Sequence, residues 1–398
     1  MTITALTELE KKVILDEFEE YVKDRTKYHI GYPYNLNFEY ESLSRFFKYS
    51  INNLGDPFNE SNYGVHSRKF ELEILEFFSD LWKLKTYWGY VTNSGTEGNL
   101  QALLVARENL PDGILYASTE SHYSIFKAAH FYKMDSISIP THWNGCIRLD
   151  ILKNKIKENP GIPVIINVNI GTTVKGAIDD LDGIIEILQQ LNIPKNKYFI
   201  HCDGALFAMF LPFLETNNGC IVDFTKSIDS LSISGHKFLG CPMPCGVMMT
   251  RKHLMEPLLK PIEYLNSVDS TITGSRNGLS SLFIWNSIVT KNVDGFTCDV
   301  KITMENARYL ETELKKMGIS AFRNSLSSTV YFEKPSDEFI LKWQLACVGN
   351  IAHAVVMPSV DKEKINLFLN EISKLNFGLK CVKEHMDVHC QCNKCSVK

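Results

Sequence analysis

One lysine in this chain stands where a strand ought to be entering a core. In "SLSISGHKFLGCPMPCG" (230–246), Lys237 follows an apolar, strand-like run and precedes a stretch of Gly, Pro and Cys. A lysine amine is a nucleophile only when deprotonated, and burial or a nearby cation brings its pKa toward neutrality. His236 and the flank "FLGCPMP" supply such surroundings. The same residues also read as an ordinary lysine on an exposed turn.

Three more stretches put polar groups after apolar runs. "TNSGTEGN" (92–99) joins a strand to a helix. Its small residues let a backbone approach an anion closely, and the helix start offers free N–H groups, so Ser94, Gly95 and Thr96 suit a phosphate. A plain capped turn accounts for them equally well. In "SHYS", His122 opens a helix, either as a residue near a cap or as a flat ring against an aromatic ligand. In "HCDGALF" (201–207), Asp203 ends an apolar strand. A buried carboxylate is costly unless it is paired, so a metal, a lysine or a protonated ring nitrogen would be its partner, with a structural cap as the alternative. Ala205, two residues on, leaves room beside it for something flat.

Each signal is weak alone, but together they describe a pyridoxal phosphate site. Lys237 would hold the cofactor aldehyde covalently, Asp203 would keep the pyridine nitrogen protonated, and the 94–96 turn would take the phosphate.

Such a site needs a scaffold of strand ends. Short apolar strands alternate with helical stretches from "WGYVTNSG" through "GILYAST", "SISIP", "PVIINVNIG", "KYFIHCDGA", "SLSIS" and "GVMMTR". "PVIINVNI" is apolar throughout, as a parallel strand buried on both faces should be. The alternation predicts an α/β domain with a parallel-rich sheet. Ahead of it, Phe70, Ile74, Phe77 and Leu81 recur at helical spacing. From about 291 the pattern becomes helix, strand, strand, helix, which suggests a second, α+β domain. The expected division is an N-terminal arm (1–60), a large domain (61–290), a small domain (291–380) and a Cys/His-rich tail (381–398).

Composition narrows the class. The chain has 398 residues, 44% hydrophobic and 22% charged, with a net charge of -4. That is enough for a large core and carries no basic footprint for nucleic acid or membrane surfaces. No apolar run approaches the ~20 residues of a membrane span, and the start lacks a signal-peptide core. Eleven cysteines, several single in apolar runs (Cys202, Cys220, Cys347), read as reduced thiols of a cytoplasmic protein. The tail holds His385, His389, Cys390, Cys392 and Cys395, but its C-x-C-x-x-C spacing is no standard zinc pattern, and no metal is expected.

The motifs "GTEGN", "SHYS", "NIGTTVKGAIDD", "HCDGA", "SGHK" and "TITGSRNG" together resemble the group II pyridoxal-phosphate-dependent amino-acid decarboxylases. The likeness is to the histidine decarboxylase branch, which includes the plant serine decarboxylases, and it covers about residues 29–375. It implies fold type I, with a seven-stranded large domain, a small C-terminal domain and a homodimer with shared active sites. It also implies roles. Lys237 is the cofactor-holding lysine, Asp203 the partner of the ring nitrogen, and His122 the ring-stacking, substrate-facing histidine. Ser94, Gly95, Thr96, Ser234 and His236 bind phosphate, and Thr173 of "GTT" lies near the cofactor. The reaction implied is loss of CO2 from an L-amino acid, with histidine preferred and serine the alternative. An aldehyde synthase or an aminotransferase would be more distant readings, and the latter would need an arginine such as Arg308 or Arg323. One feature departs from the aromatic-amino-acid branch. The stretch 265–278 is short and has no tyrosine, although Tyr264 just precedes it. His122 or Ser275 is then the expected proton donor. Tyr32, Tyr34, Asn52, Asn53 and Asp56 of the arm are expected to line the substrate pocket.

Overall fold

A computed structural model describes residues 5–214 and 222–375. Cys220 and the tail 381–398 lie outside the described residues.

The arm begins with helix α1 (Glu8–Lys27), whose Thr7 and Glu10 form a reciprocal cap. Helix α2 (Arg68–Leu81) follows and turns Ile74, Leu75 and Phe78 into the core. The alternating segment then runs β1 (Tyr87–Thr92), α3 (Gly95–Asn109), β2 (Ile114–Ser118), α4 (Tyr123–Tyr132), β3 (Ser136–Ile139), α5 (Leu149–Lys157), β4 (Val164–Asn169), α6 (Leu181–Gln190), β5 (Tyr198–Asp203), β6 (Ser230–Ser234) and β7 (Gly246–Arg251). These seven strands form one sheet in the order β1-β7-β6-β5-β4-β2-β3. All neighbours are parallel except β7, which runs antiparallel to both β6 and β1. Every residue of β4 is buried, as its unbroken apolar run requires of a strand covered on both faces.

A short ribbon, β8 (Lys260–Ile262) and β9 (Ser267–Asp269), leads to the long helix α7 (Gly278–Lys316). α7 is interrupted at Asn292, whose φ of 48° and ψ of -171° are not helical. Beyond it β10 (Ala321–Arg323), β11 (Thr329–Glu333), α8 (Asp337–Trp343), β12 (Ala346–Val348), β13 (Ile351–Val355) and α9 (Lys362–Ile372) build a four-stranded antiparallel sheet, β10-β11-β13-β12. Two of its strands were legible as strands. β10 and β12 have three residues each, too few to display a period.

Among the cysteines read as core thiols, Cys202 is fully buried while Cys347 is only half-buried against the small sheet. No helix among the described residues is long and apolar enough to cross a membrane.

Candidate active site

Because β1, β2, β4, β5 and β6 share one direction, their carboxyl ends open on one edge of the sheet, the usual ligand edge of such folds. Each end delivers one of the expected groups. β1 leads to Ser94–Thr96, β2 to His122, β4 to Thr173, β5 to Asp203 and Ala205, and β6 to Ser234, His236 and Lys237. All ten line a single cavity of about 330 Å³. The opposite part of its wall includes Tyr32 and Tyr34 of the arm and Thr329, Ala346, His353 and Val355 of the small sheet.

At the β1 end, Ser94 caps α3 by accepting from Glu97 N at 3.4 Å. Gly95 is required by a close approach, since a Cβ there would lie 2.4 Å from Ser234 Oγ. At the β6 end, His236 is pinned through Nδ1 to the backbone of Cys245, 2.9 Å from its carbonyl oxygen and 3.2 Å from its amide nitrogen. Loss of hydration pushes the Lys237 amine below the usual lysine value, and the charge of Asp203 pulls it back only in part. That amine makes no hydrogen bond or ion pair with any described residue. His122 is also held below the ordinary histidine value, first by burial and then by Lys237, against the pull of Asp203.

Asp203 is 6% exposed. Its Oδ2 accepts from Asn99 Nδ2 at 2.8 Å, and its Oδ1 accepts from the Ala205 amide at 3.3 Å. Asn99 was not singled out from the sequence, although it lies one helical turn beyond Gly95 in "GTEGN" and so faces the same side of α3. His353 was also missed. Its ring spans two segments, with Nε2 2.9 Å from Gly31 O and Nδ1 3.1 Å from Val174 O.

Several expected positions fall elsewhere. Asn53 is buried and donates to Glu71 and Ser281, and Asp56 accepts from the Trp88 indole at 2.6 Å. Asn52 donates to Ser275 Oγ at 3.1 Å. None of these four lines the cavity of this chain. These groups tie the arm to α2, β1 and the 270s loop. Tyr264 is 82% exposed and stands outside the cavity. Arg323 is occupied by Glu311 and three backbone carbonyls, and no arginine lines the cavity among the described residues.

The residues present fit pyridoxal phosphate. A side-chain-free turn opens beside Ser234, a carboxylate keeps acceptor capacity at the cavity wall, and an unengaged lysine lies across from it. Fold and site define a pyridoxal-phosphate enzyme of fold type I, an α/β protein built on a mixed, mostly parallel sheet. A profile of the pyridoxal-dependent decarboxylase conserved domain matches residues 71–323, and the chain belongs to that family. Serine decarboxylase 1 of Oryza sativa subsp. japonica is 53% identical over 364 residues, which is 91% of this chain and 75% of that protein. Histidine decarboxylase of Solanum lycopersicum is 43% identical over 404 residues, 98% of this chain and 97% of that one. Among solved structures, L-methionine decarboxylase from Streptomyces sp.590 superposes with a TM-score of 0.84 at 26% identity, covering 93% of this chain and 96% of the other. The protein is a carboxy-lyase that uses pyridoxal phosphate to decarboxylate an amino acid.

Proposed function

We propose that the amino acid decarboxylated here is L-serine, giving ethanolamine and CO2. The observation that carries this order is the identity of 53%, 50% and 47% to three rice proteins named serine decarboxylases, against 43% to the tomato histidine decarboxylase. L-Histidine, the substrate preferred from the sequence alone, remains the second reading. The tomato relative matches nearly end to end, and the rings of Tyr32 and Tyr34 at the cavity wall would suit an imidazole.

Bound pyridoxal phosphate supplies an electron sink for the pair left behind as CO2 departs. The chain's own residues do the rest. Lys237, with its lowered basicity, is the covalent anchor and yields to the substrate amine. Asp203, which lines the cavity, would keep a proton on the pyridine nitrogen. The backbone at Ser94–Thr96, with Ser234 and His236, holds the phosphate, and the bare α-carbon of Gly95 lets it come close. Thr173 and Ala205, which line the same cavity, would border the ring. His122 would cover the ring face and, in its protonated form, could return a proton to the carbon that lost the carboxylate. Ser275, the other donor expected, accepts from Asn52 and does not line the cavity of this chain.

We also propose a homodimer whose partner completes the site. In a single chain α1 buries no residue, yet Leu9 (72%), Leu15 (65%), Phe18 (62%) and Tyr21 (61%) are exposed around it. A helix apolar on several sides needs cover on several sides. The six cysteines among the described residues are free thiols, which supports a cytoplasmic setting. The break at Asn292 in α7 supports a domain boundary near 291.

The deciding experiment incubates purified enzyme separately with L-serine and L-histidine and identifies the amine and the CO2 released. Histamine as the faster-formed product would overturn the serine reading.

A further inference from the structure

A single carboxamide lies beneath both Asp203 and His122. Asn99 is 1% exposed and uses all of its hydrogen-bonding capacity. Its Nδ2 donates to Asp203 Oδ2 at 2.8 Å and to Ser124 Oγ at 2.9 Å. Its Oδ1 accepts from His201 Nε2 and from Ser232 Oγ, both at 2.9 Å. Because a carboxylate only accepts, the amide nitrogen has to be the end that faces Asp203. The oxygen then fixes His201 as the neutral ring protonated at Nε2, whose Nδ1 takes the proton of Ser230 Oγ at 2.9 Å. Burial agrees, holding His201 down to about 4.

The other branch reaches His122. Ser124 Oγ accepts from Asn99 and lies 2.7 Å from His122 Nδ1, to which its own O–H can donate. The Ser124 backbone N–H converges on the same nitrogen at 3.4 Å. Two donors at Nδ1 leave it no proton of its own, so a neutral His122 carries its one N–H at Nε2, on the ring edge away from Ser124.

We propose that Asn99 is the positioning residue of this site. Through one amide it orients the Asp203 carboxylate, and through Ser124 it locks His122 as the tautomer that offers its only proton at Nε2. The consequence for catalysis rests on the placement of His122 over the cofactor, whereas the lock itself does not. The charged groups facing His122 are Asp203 and Lys237, and the Tyr123 ring lies 4.3 Å from it centroid to centroid. Removing the Ser124 hydroxyl takes away a donor that favours the neutral ring, so the ring becomes more basic and protonates at higher pH.

The test uses holoenzyme with nitrogen-15-labelled histidine, the His122 signals being assigned by their loss in His122→Gln. In the unsubstituted protein, nitrogen NMR should show His122 protonated at Nε2 only. Ser124→Ala should give a mixture of tautomers in the neutral ring and, because the more basic ring keeps its second proton to higher pH, move the alkaline limb of the kcat–pH profile upward, and Ser124→Thr should restore both. Asn99→Asp, which sets an acceptor against Asp203, should in addition weaken cofactor binding about tenfold, the loss of one hydrogen bond to a charged group. Should Asn99→Asp fail to fold, Ser124→Ala still decides. An Nδ1-protonated His122, or a tautomer unmoved by Ser124→Ala, overturns the lock. A moved tautomer with an unmoved alkaline limb keeps the lock and overturns the placement of His122 in the chemistry.

Discussion

The two walls of the cavity are built differently. The sheet wall consists of strand ends whose polar groups are buried and engaged, with Asn99, Asp203, His201, Ser230 and Ser232 joined in one network. The opposite wall comes from the arm and the small sheet. There Tyr32 and Tyr34 are 44% and 39% exposed, stack loosely at 6.1 Å, and reach the sheet wall only where Tyr34 tilts against His236 at 5.7 Å. The difference teaches a division of labour. On the proposed reading, bond-breaking geometry sits on rigid elements, where rotamers are fixed by their neighbours, and choice of side chain on the other wall. That wall is a surface that can be rebuilt without disturbing them.

That contrast can be broken or sharpened by substitution. Lys237→Ala should cost the most, a fall in turnover of roughly 10³-fold or more together with loss of the cofactor's bound absorbance. A yellow, active variant would remove the lysine from the mechanism. Next comes the support behind the sheet wall. Arg276 pairs with Glu71, which also accepts from the Val91 amide of β1 at 2.8 Å, and both side chains are almost fully buried. Arg276→Met strands the Glu71 charge and should lower unfolding free energy by about 3–5 kcal/mol, read from urea denaturation. Gly95→Val should leave folding nearly intact but push Ser234 off the phosphate turn, with cofactor affinity falling about 10-fold or more by titration. Tyr34→Ala should be mildest, changing the ratio of kcat/KM for serine and histidine by about 10-fold, with a melting temperature within a few degrees of the parent. If Tyr34→Ala instead abolished turnover with every amino acid, the division between the walls would not hold.

The sequence was most legible where chemistry is local. A strand, a turn and a helix start lie within a few residues of one another, so "NSGT", "SHYS", "HCDG" and "SGHK" announced the sheet wall, and all ten expected residues meet at one cavity. It was least legible where a side chain's work depends on distant chain. Asn53 looks like a pocket asparagine until Glu71 and Ser281 are brought beside it, and His353 is defined by carbonyls of Gly31 and Val174. Asn99 sat inside a quoted motif, but its four partners come from three other segments, α4, β5 and β6. The small sheet was half-read for a related reason, since strands of three residues owe their form to their neighbours and not to a pattern of their own.

The antiparallel strand β7 has a consequence for how the enzyme comes into being. Among the described residues β1 finds its only sheet neighbour in β7, with Tyr87 opposite Arg251, so roughly 160 residues separate partners that must meet. The phosphate turn hangs directly from β1. On a ribosome it lacks its sheet partner until synthesis has reached Arg251, long after Ser94 has emerged. Pairings of such separation form slowly and leave strand edges open meanwhile. The cofactor, then, is best placed to act late, as a clamp on a nearly finished sheet and not as a template for its assembly.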